Sequence, residues 1–141
     1  MKKILTTLLL FVGLAAFAQT AQQANTSTNQ TATTALSPKA KSLCKTWSLT
    51  KTENFGDQHN PTDAQKKDQI ILMETGRYRM IMDGVAQGGT WTLDKSNTLL
   101  TLTKDDGTII KLKVLESTDT TLKVDYRDAD DIHNILYYTA S

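Results

Sequence analysis

Two histidines, His59 and His133, and one cysteine, Cys44, are the groups best suited to metal or nucleophilic chemistry in this 141-residue chain. A metal site would need the histidines to converge, yet His59 falls in an irregular stretch and His133 on the outward side of a strand. His133 has Asp128, Asp130 and Asp131 close by, and hard cations accept carboxylates, but a hydrated acidic turn accounts for the same residues. No Ser, His and acid fall at spacings that support a nucleophilic triad. The Asp105-Asp106 pair precedes Gly107 and belongs to a turn, and Gly84, Gly88 and Gly89 lead into a strand, so no phosphate cradle forms. A lone Cys44 near Trp47 cannot close an internal disulfide and reads as a small buried apolar residue. The expectation is a non-enzymatic protein with no metal and no cofactor.

The informative side chains are flat rings and thioethers: Trp47, Phe55, Tyr78, Met80, Met82, Trp91 and Tyr126. Their setting is a succession of segments with period-two alternation, the mark of a half-buried strand. Strands are expected over 45–53, 69–74, 77–82, 90–93, 98–104, 108–115, 120–127 and 132–139. Trp47 and Leu49, Ile70 and Leu72, Tyr78, Met80 and Met82, Trp91 and Leu93, and Leu100 and Leu102 share the inward face. The later strands continue it with Ile110, Leu112 and Val114, with Leu122, Val124 and Tyr126, and with Ile132, Asn134, Leu136 and Tyr138 opposite the outward His133, Ile135 and Tyr137. Asp105-Asp106-Gly107 is the strongest hairpin signal. Ser37-Pro38 starts a single helical turn through Leu43, placed to plug one end. The segment 54–68 is the one long connection, with a helical turn at its end over 64–67. Short links favour sequential antiparallel pairing, and closing the sheet removes exposed edges. The predicted fold is all-β, an eight-stranded antiparallel up-and-down barrel, whose interior is either filled or holds one small ligand.

Residues 1–18 have the parts of a secretory signal: Lys2 and Lys3, an apolar run to Phe17, and Ala16 and Ala18 before a cleavage point at Gln19. The run is too short for a bilayer span, and no Cys stands at the position that lipid attachment needs. Residues 19–37 are rich in Thr, Gln, Ala and Asn, with no charge or aromatic ring, and read as a disordered linker. Asn25 and Asn29 fit a glycosylation pattern that is short and carries little information. The barrel domain occupies 38–141. Removing the signal leaves 14 basic against 15 acidic side chains, a net charge of −1. Neither nucleic acid nor stable membrane insertion is expected. The expected location is the periplasm or the outside of the cell.

Lys45-Thr46-Trp47, the turn Glu74-Thr75-Gly76-Arg77-Tyr78, and Gly89-Thr90-Trp91-Thr92-Leu93 followed by residues 99–103 resemble the small lipocalin-like domains of exported bacterial proteins. The resemblance covers about residues 43–139. It implies an up-and-down barrel in which Trp47 matches the Trp of a first-strand Gly-x-Trp packed across the closed end, with Lys45 in place of the Gly. It also implies binding of a small apolar molecule.

The function expected is a carrier holding a small hydrophobic ligand in or at the mouth of the barrel, with the seven rings and thioethers as contacts. The alternative is an envelope module that binds a protein partner through loop 54–68, Phe55 acting as anchor beside His59, with a filled barrel. Phe55 folded over the mouth would favour the first, and Phe55 turned outward the second.

Overall fold

A computed structural model describes residues 35–141. The expected signal peptide over 1–18 and all but the last residues of the expected linker over 19–37 lie outside the described residues. The chain starts with helix α1 (Pro38–Ser42), capped by Ser37, whose Oγ accepts a hydrogen bond from Ala40 N at 3.1 Å. Nine strands follow: β1 (Thr46–Asn54), β2 (Asp57–His59), β3 (Gln69–Leu72), β4 (Arg77–Met82), β5 (Val85–Leu93), β6 (Leu99–Lys104), β7 (Ile109–Ser117), β8 (Thr121–Arg127) and β9 (His133–Ala140). A 3₁₀ turn over Gln65–Lys67 precedes β3.

All neighbours are antiparallel, and β9 returns to pair with β1 from Trp47–Ala140 to Asn54–Asn134. That pairing closes an eight-stranded barrel in the order β1-β3-β4-β5-β6-β7-β8-β9. The ninth strand, β2, is an appendage: it folds back on the far half of β1 (Thr52–His59 to Asn54–Asp57), beyond the stretch Thr46–Ser48 that β3 covers. Register breaks at Thr50 and at Leu115, where one extra residue bends its strand, as barrel closure requires.

Period-two alternation puts the predicted inward set in the core. Ile70, Leu72, Tyr78, Met80, Leu100, Leu102, Leu112, Leu122 and Val124 are all buried. At one end α1 and its neighbours form a plug: Trp47 is fully buried and its Nε1 donates to Leu43 O at 2.9 Å, while Trp91 Nε1 donates to Met73 O at 2.9 Å. A buried indole needs such an acceptor. Lys45, in place of the expected glycine, lies over the Trp47 ring 5.3 Å from its centre.

Two elements depart from expectation. Strand β5 begins at Val85 rather than at Thr90 and runs through Gly88-Gly89. A Cβ on Gly89 would lie 1.9 Å from Thr103 O, so the close approach of β6 demands glycine there and the pair is strand, not link. Segment 54–68 also contains β2, because Phe55-Gly56 adopts positive φ (53° and 88°) between the paired Asn54 and Asp57, a tight two-residue hairpin. An aromatic residue at the first of these positions carries no obvious turn signal.

Candidate functional site

The end of the barrel opposite α1 is the open one. It is ringed by the β1–β2 turn, the 3₁₀ turn, and the β4–β5, β6–β7 and β8–β9 turns. Met82-Asp83-Gly84-Val85 is a two-residue hairpin with positive φ at Asp83 and Gly84. This turn presents two backbone N–H groups toward Asp68, whose Oδ2 accepts from Asp83 N at 3.0 Å and Oδ1 from Gly84 N at 3.4 Å. Asp68 has extended backbone (φ −67°, ψ 128°) directly before β3, which gives it the inward parity of Ile70 and Leu72. It is 5 % exposed, the one buried charged side chain among the described residues.

Asp68 lies in the wall of a depression of about 280 Å³ at the mouth, together with Leu49, Leu136, Met82 and Tyr126 as apolar lining and Asn54 and Tyr138 as polar lining. Burial pushes the Asp68 carboxyl above the ordinary carboxylate range; the two N–H donors oppose that, and the neighbouring Asp83 adds to it. Tyr138, 4 % exposed, has its phenol pushed upward by burial and then by the charges of Asp68 and Asp83. Asn54 Oδ1 is buried with no hydrogen-bond partner among the described residues. Asp128, also at the mouth, is self-contained: its Oδ1 accepts from Ile132 N (2.9 Å) and Asp130 N (3.0 Å), and Asn134 Nδ2 donates to Oδ2 (3.1 Å). These bonds, that from Ile132 N foremost, hold its carboxyl below the usual range. The lining contains no Lys, Arg or His.

Of the seven side chains singled out from sequence, the structure brings Met82 and Tyr126 together at this mouth. Trp47, Tyr78, Met80 and Trp91 are buried beneath it and fill the barrel. The Tyr78 hydroxyl, like Asn54 Oδ1, is buried without a partner. Phe55 is 87 % exposed at the tip of the β1–β2 hairpin, turned away from the interior. It is not a lid.

Two further depressions lie on the barrel surface, the first continuous with the mouth. One of about 670 Å³ shares Met82, Tyr126 and Asp128 with the mouth and spills over the rim past Ile109, Lys111 and His133. In it His133 Nδ1 faces both Asp125 oxygens at 2.9 and 3.0 Å, and no cluster of three or more His, Cys, Asp or Glu among the described residues could hold a metal ion. His133 and the acids of the β8–β9 turn thus do not converge on a cation. The other, about 750 Å³, runs along β3, β4 and β5 past Ile71, Arg79 and Ile81. It exists because β5 offers only Ala86 and Gly88 opposite Ile81 and Arg79, leaving the outer face bare. As an open furrow it excludes little water.

Asp68, Asn54 and Tyr138 were not among the residues singled out from sequence. Asp68 was detectable: a carboxylate at 68 continues the inward parity of 70 and 72, and a charge at a core position is the anomaly that marks a site. Asn54 was not, because its burial depends on a hairpin with no glycine at its first turn position.

Comparison with known proteins agrees with this architecture. No curated protein matches the chain. The family model of the lipocalin-like domain matches residues 43–124, from the plug through most of β8. With the closed eight-stranded barrel around that match, the chain belongs to the lipocalin-like domain family, whose barrel is in general a small-molecule-binding fold.

Proposed function

We propose that the protein is an exported, non-catalytic binding protein that holds a small, largely apolar molecule at the open mouth of its barrel. The observation that carries this reading is the mouth depression, about 280 Å³, lined by Leu49, Met82, Tyr126 and Leu136 above a filled core. Its volume is at the lower edge of ordinary ligand sites, so the guest is small or leaves part of itself outside. A thioether and a phenol ring at the rim adapt to apolar shapes. The leader-like residues 1–18 support export to the periplasm or beyond, with Gln19 as the first mature residue.

Native mass spectrometry of the purified protein is the test, paired with titration of the neutral fluorophore N-phenyl-1-naphthylamine. The expected result is a co-purifying small molecule, or saturable fluorophore binding, that Met82→Trp abolishes. A protein that carries only its own mass and leaves the fluorophore unchanged contradicts the reading.

A second reading rests on Phe55. An aromatic ring 87 % exposed on a hairpin tip, with Val85 and Ile109 also exposed near turns of the same rim, is the kind of anchor a protein partner buries. Under this reading the partner is an envelope protein that docks across the rim. Phe55→Ser would weaken such a complex and leave mouth binding intact.

A further inference from the structure

We infer that the guest carries a cationic hydrogen-bond donor, a primary ammonium on a short apolar body, and that Asp68, Asn54 and Tyr138 receive it. This rests on the proposal that the mouth is the binding site and specifies the class of molecule it takes.

A carboxylate taken out of water is normally paired with a cation or neutralised. Asp68 has neither a Lys, Arg nor His among the residues lining its depression. Its two bonds come from neutral backbone N–H groups, one of them at 3.4 Å. An independent group at the same mouth also lacks a partner, and a second acceptor stands beside it. Asn54 Oδ1 is buried and unbonded among the described residues, and the Tyr138 ring, 4 % exposed, places its phenol beside the Asp68 and Asp83 charges. A carboxylate, an amide oxygen and a phenol oxygen are all acceptors. An ammonium supplies three donors and one positive charge, which matches that set. Asp83 and Asp128 are on the same rim, so the charged side chains of the lining are all acidic, which disfavours an anion there. A divalent metal is disfavoured because no three suitable ligands converge there among the described residues. The apolar half of the wall, Leu49, Met82, Tyr126 and Leu136, is left for the body of the molecule.

The test is calorimetric titration of the protein with three compounds that share one ring: 2-phenylethylamine, 2-phenylethanol and 3-phenylpropanoate. The ammonium is expected to bind at least about tenfold more tightly than the alcohol, the scale of one charge-assisted hydrogen bond. The carboxylate should be the weakest. Asp68→Asn should erase the preference of amine over alcohol while the alcohol still binds. Should that variant misfold, Asn54→Leu and the pH profile decide instead. Amine affinity should fall as pH drops through the raised pKa of Asp68, with the alcohol unaffected; Asp83, Asp128 and Tyr138 are the other titratable groups of the wall. Equal binding of amine and alcohol, or tightest binding of the carboxylate, overturns the cation inference and leaves mouth binding standing. Failure of all three to bind overturns both.

Discussion

Asp94 shows how much a single turn side chain can do in this fold. It follows β5 and ties the β5–β6 turn together. Ser96 Oγ donates to its Oδ2, and Thr98 N and Leu99 N donate to its Oδ1 at 2.7 and 2.8 Å. These bonds, the Ser96 hydroxyl foremost, lower its pKa to about 2. The unfolded chain has the ordinary higher value and binds the proton first, so the stability Asp94 contributes is present above that value. It is lost as pH falls toward about 2. Urea unfolding followed from pH 5 down to pH 2 should show a loss of stability that is smaller in Asp94→Ala. Equal pH slopes in the two proteins would show that the turn does not depend on the charge. Phe55 gives the opposite sign. Its ring is 87 % exposed and its φ is 53°, a conformation that L residues adopt at a cost of about 1–2 kcal/mol and that Asn tolerates better. Phe55→Asn should therefore raise stability by roughly 0.5–1 kcal/mol in denaturant titration, and a clear decrease would mean the ring packs on something.

At the scale of elements, strand identity and facing were legible because alternation holds along most strands: Ile70 and Leu72, Tyr78 and Met80, Leu100 and Leu102, Ile110 and Leu112, Leu122 and Val124, and Leu136 and Tyr138 are in the core, while Met82, Leu93, Val114 and Tyr126 are half-buried against it. Ser37-Pro38 likewise announced α1, and Asp105-Asp106-Gly107 announced its turn. What escaped was set by contacts between distant segments. Nothing in the string Gly88-Gly89 reveals that Thr103 O passes where a side chain would sit, so a strand interior reads as a link. The β1–β2 hairpin escaped because its turn starts with Phe55. The candidate site divided in the same way. Met82 and Tyr126 fell at the mouth because they are the last inward residues before turns at the open end, whereas Met80 and Trp91, one step deeper, became packing. Two substitutions test the account of β5. Gly89→Ala should destabilise by roughly 1–3 kcal/mol or more as β6 is pushed away. Gly88→Ala, whose Cβ would meet Tyr78 O at 3.3 Å, should be much milder. The reverse order in thermal unfolding would refute it. Ser37→Ala should remove the cap of α1 at about 1 kcal/mol, loosening the plug over Trp47.

The whole molecule divides its barrel unequally. One end is sealed by α1 and two tryptophans that bond to backbone carbonyls of the plug and the β3–β4 turn; the other is left open with a buried, unpaired carboxylate in its wall. A barrel selected for stability alone would put an apolar residue at position 68, because burying that charge opposes folding. Retaining it makes sense if a bound molecule supplies the missing cation, and the filled lower half then serves as a rigid floor that holds the acceptors in place. The most direct test is amide chemical-shift mapping of the isotopically labelled protein during titration with 2-phenylethylamine. The account predicts perturbations gathered at Leu49, Thr52, Asp68, Met82, Tyr126 and Leu136. Shifts gathered instead along Ile71, Arg79 and Ala86 on the outer furrow, or an unchanged spectrum at saturating amine, would contradict it.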